Sequence, residues 1–152
     1  ATLIFVDIDG FHRVNTAFGA EIADEVLKSV ANRAAVCLRT TDRLGRLGGE
    51  EFGMLLPETM AYEASQCAER LREEISGLRF RYSGKVVSVT ASFGIAPFDS
   101  RLRSPIQWFA QADIALYESK KAGRNCVSFA ALPQATDPVS EEGDPIRPLG
   151  MH

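Results

Sequence analysis

Two adjacent carboxylates follow two adjacent glycines near the middle of the chain, and these residue types at this spacing could bind a metal ion. The segment is Gly48-Gly49-Glu50-Glu51, which lies between two short runs typical of strands. Paired glycines between strands predict a tight hairpin turn with positive φ, which glycine adopts at low cost. Neighbouring like charges repel unless water or a cation neutralises them, and carboxylate oxygens suit Mg²⁺. A hairpin whose glutamates simply face water explains this segment alone equally well.

A second acidic pair ends the first apolar run of the sequence. Asp7 and Asp9 come at the end of a stretch, residues 3–6, that is typical of a central strand covered on both faces. Residues two apart in a strand point to the same face, so we expect only one of these carboxylates to occupy a ligand position. If this strand neighbours the hairpin, carboxylates from two strands meet as they do in phosphoryl-transfer enzymes that hold Mg²⁺. Capping or turn formation explains Asp9 alone, but the two pairs together favour a metal site.

The elements that must position these carboxylates are predicted in the order strand, helix, helix, hairpin, helix, strand, helix, strand. Apolar residues recur at helical spacing over residues 22–38 and 64–75, and Thr59 is expected to cap the second of these helices. Ser104 and Pro105 are the preferred pair for opening the last helix. This order predicts an α+β fold with a mixed, mainly antiparallel central sheet flanked by helices.

Composition limits the classes of partner. A chain of 152 residues with 45% hydrophobic and 24% charged residues predicts one soluble globular domain. The formal charge of -3 is carried by residues 133–152, which we expect to be a disordered Pro/Gly/acidic tail following a neutral domain over residues 1–132. A neutral domain predicts no nucleic-acid surface of the usual basic kind.

The cysteines and the apolar runs indicate the compartment. The three cysteines, Cys37, Cys67 and Cys126, are odd in number and have no metal-ligand spacing, so we interpret them as reduced core residues of a cytoplasmic domain. No apolar run reaches the length of a membrane span, so we expect this domain to make no membrane contact. Because a strand begins almost at the first residue and there is no start methionine, we expect a piece of a longer protein, membrane-anchored or multidomain.

Further segments resemble the GGDEF family of diguanylate cyclases, in the variant whose signature reads Gly-Gly-Glu-Glu-Phe. The resemblance extends from residue 3 to about residue 129, in the family's order and spacing. The segments that carry it, besides residues 48–52, are Asp7-Ile8-Asp9-Gly10-Phe11 with Asn15, then Asp24, Ser92-Phe93-Gly94-Ile95-Ala96, Ala112-Asp113-Ile114-Ala115-Leu116-Tyr117 and Lys120-Lys121-Ala122-Gly123-Arg124-Asn125.

The resemblance implies a fold related to the palm of nucleotidyl cyclases and polymerases. It also implies a homodimer in which each subunit binds one GTP, and the 3′-hydroxyl of each nucleotide attacks the α-phosphate of the other. The products would be cyclic di-GMP and two pyrophosphates. In the full-length protein, the family leads us to expect an upstream sensor or dimerising domain.

The resemblance further implies roles for single residues. Asp7, the carbonyl of Ile8 and Glu50 would hold Mg²⁺ or Mn²⁺, and Glu51 would be a second metal ligand or the base for the hydroxyl. Asn15 and Asp24 would recognise guanine. Lys120 and Arg124, four apart on one helical face, would hold the β- and γ-phosphates. The full set implied to bind substrate is Phe11, Asn15, Asp24, Gly48, Gly49, Lys120 and Arg124.

A second ligand site is implied just before the hairpin. Arg39 and Asp42 form the R-x-x-D pattern of the family's inhibitory product site at its usual distance from the signature, and Arg70 lies where a second product-binding arginine is found. Guanidinium groups suit phosphate and the Hoogsteen edge of guanine. A helix-end arginine and a turn aspartate on an ordinary surface are the other interpretation.

Several positions depart from the family pattern. His12 stands where the family has a lysine credited with stabilising charge during catalysis, and a neutral imidazole supplies less positive charge. Thr16, Ala20 and Ala23 replace the usual Asp, His and Gly, and the family's segment upstream of the first strand is missing from this sequence. We therefore expect a competent but slow cyclase in the intact protein.

Three other interpretations remain open. The first is a catalytically weak or inactive module that binds GTP or cyclic di-GMP as a regulatory domain. A polymerase-like palm is the second, and the absence of a basic template surface disfavours it. The third is a scaffold that uses this domain for dimer contacts.

Overall fold

Four helices and seven strands follow one another along residues 1–131, the part of the chain that the computed structural model describes. The helices are α1 (Phe11–Phe18), α2 (Ala20–Cys37), α3 (Ala61–Gly77) and α4 (Pro105–Lys121). The strands are β1 (Thr2–Ile8), β2 (Arg43–Arg46), β3 (Glu51–Leu56), β4 (Phe80–Tyr82), β5 (Lys85–Val87), β6 (Ala91–Pro97) and β7 (Val127–Phe129). The predicted tail lies outside the described residues.

Five of these strands form the central sheet, in the order β2-β3-β1-β6-β7. β1 lies in the middle and pairs antiparallel with both β3 and β6, whereas β7 runs parallel to β6. β4 and β5 form a separate two-stranded hairpin. This confirms the prediction of an α+β fold with a mixed, mainly antiparallel sheet. None of the helices within residues 1–131 is long and apolar enough to cross a bilayer.

Both faces of the central strand are covered, which explains its continuous apolar sequence. Ile4, Val6 and Ile8 pack into the larger core with α1, α2 and α3. Leu3 and Phe5 point to the opposite face and pack with residues of α4. Because side chains alternate along a strand, the next odd-numbered residue, Asp7, belongs to the α4 face.

α4 lies close against β6, and one glycine permits this approach. A Cβ atom at Gly94 would lie 2.3 Å from the backbone nitrogen of Leu116 and 2.5 Å from the backbone oxygen of Ala112. Both atoms belong to the helix backbone and cannot move aside independently. The glycine in the Ser92–Ala96 segment is therefore required by packing. At the start of the same helix, the Ser104 hydroxyl accepts a hydrogen bond from the Gln107 N–H, which confirms the predicted cap.

We predict that Gly94→Ala lowers the free energy of unfolding by about 3 kcal/mol or more, since the added methyl group must push α4 away from the sheet. Gly45→Ala is the matched control, because Gly45 also lies in a strand and a Cβ there would meet nothing within 4 Å. Chemical denaturation of both variants measures the difference. Equal stabilities for the two variants would contradict the packing argument.

Candidate active site

The strand register brings the acidic residues of β1 and β3 to the same end of the sheet. Asp7 lies opposite Glu51 on β3 and opposite Ser92 on β6. Directly opposed residues of antiparallel strands project to the same face. The two carboxylates therefore share the α4 face of the sheet, as the sequence-based hypothesis of a joint site requires.

Glu50 is tied to the end of β1 through its backbone. Its carbonyl accepts a hydrogen bond from the Ile8 N–H at 3.2 Å. Its negative charge is close enough to Asp7 to disfavour ionisation of that carboxyl. Three of the four groups proposed as metal ligands, Asp7, Ile8 and Glu50, therefore lie at one place, and Glu51 follows directly.

Asp7 is a largely buried carboxylate whose charge is balanced by Lys120. Its side chain is only 12% exposed, and the Lys120 ammonium group of α4 contacts its Oδ2 atom. Burial raises the pKa of Asp7, and the charges of Glu50 and Asp9 raise it further, whereas the hydrogen bond and the charge of Lys120 lower it. Negative charge thus accumulates at the end of β1, where the Lys120 ammonium group offsets it.

The donors at this place fit a hard divalent cation. Within residues 1–131, no group of three or more His, Cys, Asp or Glu side chains is arranged to hold a metal ion. The donor set would be the carboxylates of Asp7 and Glu50 with the carbonyl of Ile8, all oxygen atoms. Mg²⁺ is commonly held by one or two carboxylates, with water and substrate phosphates completing its coordination. A site with few protein ligands is therefore compatible with Mg²⁺ or Mn²⁺.

Asp9 has a different task from Asp7. Its carboxylate accepts hydrogen bonds from the Thr90 hydroxyl at 2.7 Å, the Ser92 hydroxyl at 2.6 Å and the Asn125 N–H at 3.0 Å. These bonds join the end of β1 to the start of β6 and to the segment before β7. Asp9 is therefore a structural carboxylate, and the role of Asp7 as the metal-binding member of the pair stays a prediction.

The glycine pair of the hairpin does not adopt the predicted conformation. Neither Gly48 nor Gly49 is among the positive-φ glycines of residues 1–131, which are residues 10, 19, 84 and 123. Leu47–Glu50 connects β2 to β3, and the N–H groups of Leu47 and Gly48 donate to the Glu51 carbonyl at 2.8 and 3.3 Å. The prediction of a positive-φ turn was wrong, because a connection of this length reverses the chain without left-handed residues.

The exposed glycines also have room for side chains. A Cβ atom on Gly48 or Gly49 would meet nothing within 4 Å. Neither backbone strain nor packing within the domain requires glycine there. The missing side chains instead leave the loop backbone accessible from outside.

A groove of about 360 Å³ lies between α2 and the β2–β3 hairpin. Asp24 lies at this groove, where its carboxylate is 3.2 Å from the Lys28 Nζ atom. Lys28 also lines the groove, together with Leu27, Ala31, Leu44, Gly45, Arg46 and Phe52. Phe52, the last residue of the Gly-Gly-Glu-Glu-Phe signature, is buried with only 5% exposure. On α1, Asn15 and His12 are exposed and Phe11 packs against the core.

Lys120 and Arg124 do not share a helical face. α4 ends at Lys121, Gly123 has a φ of 117°, and Arg124 has a φ of 65° beyond the helix. The prediction from their four-residue spacing was wrong, because the chain leaves the helix between them. Lys120 is half-buried against Asp7, whereas Arg124 is exposed. Their roles at phosphate groups stay predictions.

The R-x-x-D segment forms a local loop around a buried carboxylate. The Arg39 N–H donates to Asp42 Oδ2 at 2.8 Å, and the Asp42 N–H donates to the Arg39 carbonyl at 3.0 Å. The Arg39 guanidinium group reaches Thr59 Oγ1 and the Pro57 carbonyl. Within the described residues, Asp42 Oδ1 is buried without a hydrogen-bond partner. Thr59 therefore holds Arg39 and does not cap α3, whose N-cap residue is Met60.

Arg70 of α3 lies near Asp42, because both residues are neighbours of the Cys67 thiol. Burial raises the pKa of the Cys67 thiol, and the neighbouring Cys37 and Asp42 raise it further, whereas Arg70 lowers it through its charge and a hydrogen bond. Cys67 is thus near both Arg70 and Asp42. Arg39, Asp42 and Arg70 therefore lie near one another, on what we call the α2–α3 surface, and their role in binding product stays a prediction.

Sequence reasoning missed several residues that support these sites. Thr90 and Ser92 hold Asp9, Thr59 holds Arg39, and Arg46 bonds to the glycine loop. Hydroxyl residues at the start of the otherwise apolar β6 strand were a usable signal. The contacts of Arg46 and Thr59 depend on loop conformation, and no sequence pattern predicted them.

Comparison with known proteins places this geometry in a family. The family described as "Diguanylate cyclase, GGDEF domain" matches residues 1–126. Diguanylate cyclase A of Treponema denticola is 38% identical over 136 residues, which are 88% of this chain and 37% of that protein. Diguanylate cyclase DgcP of Pseudomonas aeruginosa is 41% identical over 84% of this chain and 19% of its own length. The chain therefore spans well under half the length of these curated relatives.

Solved structures show the same fold. The GGDEF domain of DgcB from Caulobacter crescentus, in complex with c-di-GMP, matches with a TM-score of 0.81 and 30% identity, over 84% of this chain and 76% of that one. The active GGEEF domain of a diguanylate cyclase from Vibrio cholerae matches with a TM-score of 0.76 and 27% identity, over 87% and 83%. The resemblance and the palm-like fold inferred from the sequence are confirmed, and the chain belongs to the GGDEF domain family of diguanylate cyclases.

Proposed function

We propose that this domain condenses two GTP molecules into cyclic di-GMP with release of two pyrophosphates, in a cytoplasmic homodimer with one GTP per subunit. The main support is the convergence of Asp7, Glu50 and Glu51 at one end of the sheet, beside an accessible glycine loop. Two bound nucleotides must meet for this reaction, and an isologous dimer brings two identical sites face to face.

The acidic residues would divide the work of the reaction. Asp7, the Ile8 carbonyl and Glu50 would hold Mg²⁺ or Mn²⁺, and the bound ion supplies neutralisation of phosphate charge and a lowered pKa for the attacking hydroxyl. Glu51 would accept the proton as the 3′-oxygen of one GTP bonds to the α-phosphorus of the other. The bond from that phosphorus to the β-phosphate oxygen breaks, and pyrophosphate leaves.

The remaining site residues would bind the nucleotide. Asp24, at the groove beside α2, would exchange its Lys28 partner for the N1 and N2 hydrogens of guanine, and Asn15 on α1 would add to this recognition. Lys120 and Arg124 would approach the β- and γ-phosphates from different directions. Phe11 and the two glycines of the loop would complete the pocket.

The α2–α3 surface would bind the product as an inhibitor. Asp42 Oδ1 is a buried acceptor without a partner among the described residues, and such a group is stabilised when a ligand donates to it. Arg39 and Arg70 supply guanidinium groups for phosphate and for the Hoogsteen edge of guanine. Arg39 would have to leave Thr59 to bind in this way.

A regulatory module that binds GTP or cyclic di-GMP without turnover is the second candidate. His12 favours it, because this exposed position of α1 carries less positive charge than the family's lysine. Ala23 does not, because it is 4% exposed on the core side of α2, away from solvent. The complete acidic set at the end of β1 leads us to prefer an active, slow enzyme.

We predict that the full-length protein forms cyclic di-GMP and pyrophosphate from GTP and Mg²⁺, and that Glu51→Gln lowers the rate by about a hundredfold or more, since the proton acceptor is lost. The matched control is Glu73→Gln, a substitution on the exposed surface of α3. Product formation can be followed by chromatography, with circular dichroism to verify folding. A Glu51→Gln variant as fast as the parent would remove the assigned role, and a parent that binds GTP without turnover would support the regulatory module.

We predict that Arg39→Ala weakens binding of cyclic di-GMP by about tenfold or more. The initial velocity should be unchanged, because the guanidinium group that is removed would bind the product and not the substrate. Arg33→Ala is the control: Arg33 lies on α2 and its guanidinium group is 3.8 Å from Glu74. Calorimetry gives the product affinity, and initial rates at low conversion give the velocity. Unchanged product affinity in Arg39→Ala would contradict the assignment of an inhibitory site.

A further inference from the structure

The arginine that ends β2 folds over the glycine loop. The Arg46 Nε–H donates to the carbonyls of Gly48 and Gly49, both at 3.2 Å, and its Nη2 atom donates to the Gly49 carbonyl at 2.7 Å. One guanidinium group therefore holds two consecutive carbonyls through a fork of donors. Hydrogen bonds from a charged donor are stronger than those between neutral groups.

The loop needs this support because its own residues provide little. Glycine has the largest backbone freedom to lose, and neither Gly48 nor Gly49 is fixed by packing, since a Cβ there would meet nothing. The bonds of Leu47 and Gly48 to the Glu51 carbonyl fix the base of the loop. The bonds of Arg46 fix the direction of the carbonyls at its tip.

The direction of these carbonyls matters for an anionic ligand. A carbonyl oxygen carries partial negative charge and repels phosphate, whereas backbone N–H groups attract it. Arg46 holds both carbonyls towards its own guanidinium group. It also lines the groove that contains Asp24, so the loop it holds borders the place where we locate the nucleotide.

We propose that Arg46 is a positioning residue that holds the Gly48-Gly49 loop in its GTP-accepting conformation before the nucleotide arrives. This inference rests on the proposed cyclase function. Without the guanidinium group, only a fraction of molecules have the loop in the accepting conformation, and the apparent affinity for GTP falls by that fraction. The rate at saturating GTP is retained, because Asp7, Glu50 and Glu51 are unchanged.

The test compares Arg46→Ala and Arg46→Lys with Arg79→Ala in the full-length protein. Arg79 is a matched control, because its Nη1 atom also donates to two backbone carbonyls, those of Ser76 and Leu78, far along the chain from the hairpin. Two quantities are measured: the KM and kcat for GTP with Mg²⁺, and amide hydrogen exchange of residues 47–51 in the nucleotide-free protein.

We expect both Arg46 variants to raise the KM for GTP by about tenfold and to keep kcat within about twofold of the parent. We also expect faster amide exchange at residues 47–51, with exchange in β1 unchanged. Lysine should not rescue, because a single ammonium group cannot reproduce the planar fork. Arg79→Ala should match the parent in both measurements.

Three results would overturn the proposal. Unchanged amide exchange in Arg46→Ala shows that the loop does not depend on this side chain. A kcat reduced by tenfold at saturating GTP places Arg46 on the reacting groups, and full rescue by lysine shows that charge alone matters. If the parent neither binds nor converts GTP, the proposed function fails, and the exchange measurement still decides whether Arg46 holds the loop.

Discussion

The structure depends on the placement of one charged carboxylate at the end of a buried strand. Asp7 lies where β1 leaves the core, and burial disfavours its ionised form enough to raise its pKa. Lys120 reaches it from α4 and balances the charge. α4 can come this near because Gly94 lets the helix backbone contact β6. The close packing of α4 at Gly94 thus makes Lys120 the cation that faces the acidic end of β1.

The same end of the sheet contains two carboxylates, Asp7 and Asp9, with different roles. Asp9 is surrounded by donors from β6 and from the segment before β7, so its charge is used to join three parts of the chain. Among the described residues, Asp7 has Lys120 as its cationic partner and repulsive neighbours in Glu50 and Asp9. A carboxylate satisfied by neutral donors stabilises the fold, whereas one surrounded by like charge is suited to bind a further cation. The difference comes from position along the chain and not from residue type.

Regular periodicity predicted the parts of the structure that depend on regular geometry. The apolar run of β1 and the Ser104 cap follow from local sequence, and the structure agrees with both. Family resemblance supplied the palm-like fold, which no local pattern of this chain could establish by itself. Asp7 and Glu51 lie opposite each other because of the pairing and register of β1 with β3. From the sequence, this pairing could only be assumed.

The errors occur where the chain leaves regular geometry. The spacing of Lys120 and Arg124 implied one helical face, but Gly123 ends the helix between them. The glycine pair implied positive φ, but the length of the loop removes that need. Thr59 has the residue type of a helix cap, yet it binds Arg39, a partner twenty residues away. Such contacts depend on how loops meet in space. The effect of His12 on catalysis stays a prediction, because it depends on the reaction and not on the fold.

We propose that the end of β1 holds a divalent cation together with a nucleotide. Binding of Mn²⁺ in the presence of GTP, followed by electron paramagnetic resonance at neutral pH, tests this most directly. We expect the parent protein to bind Mn²⁺ with GTP and the Asp7→Asn variant to bind it at least tenfold more weakly, while both remain folded. Equal Mn²⁺ affinity in the two proteins would show that the buried carboxylate is not part of a metal site.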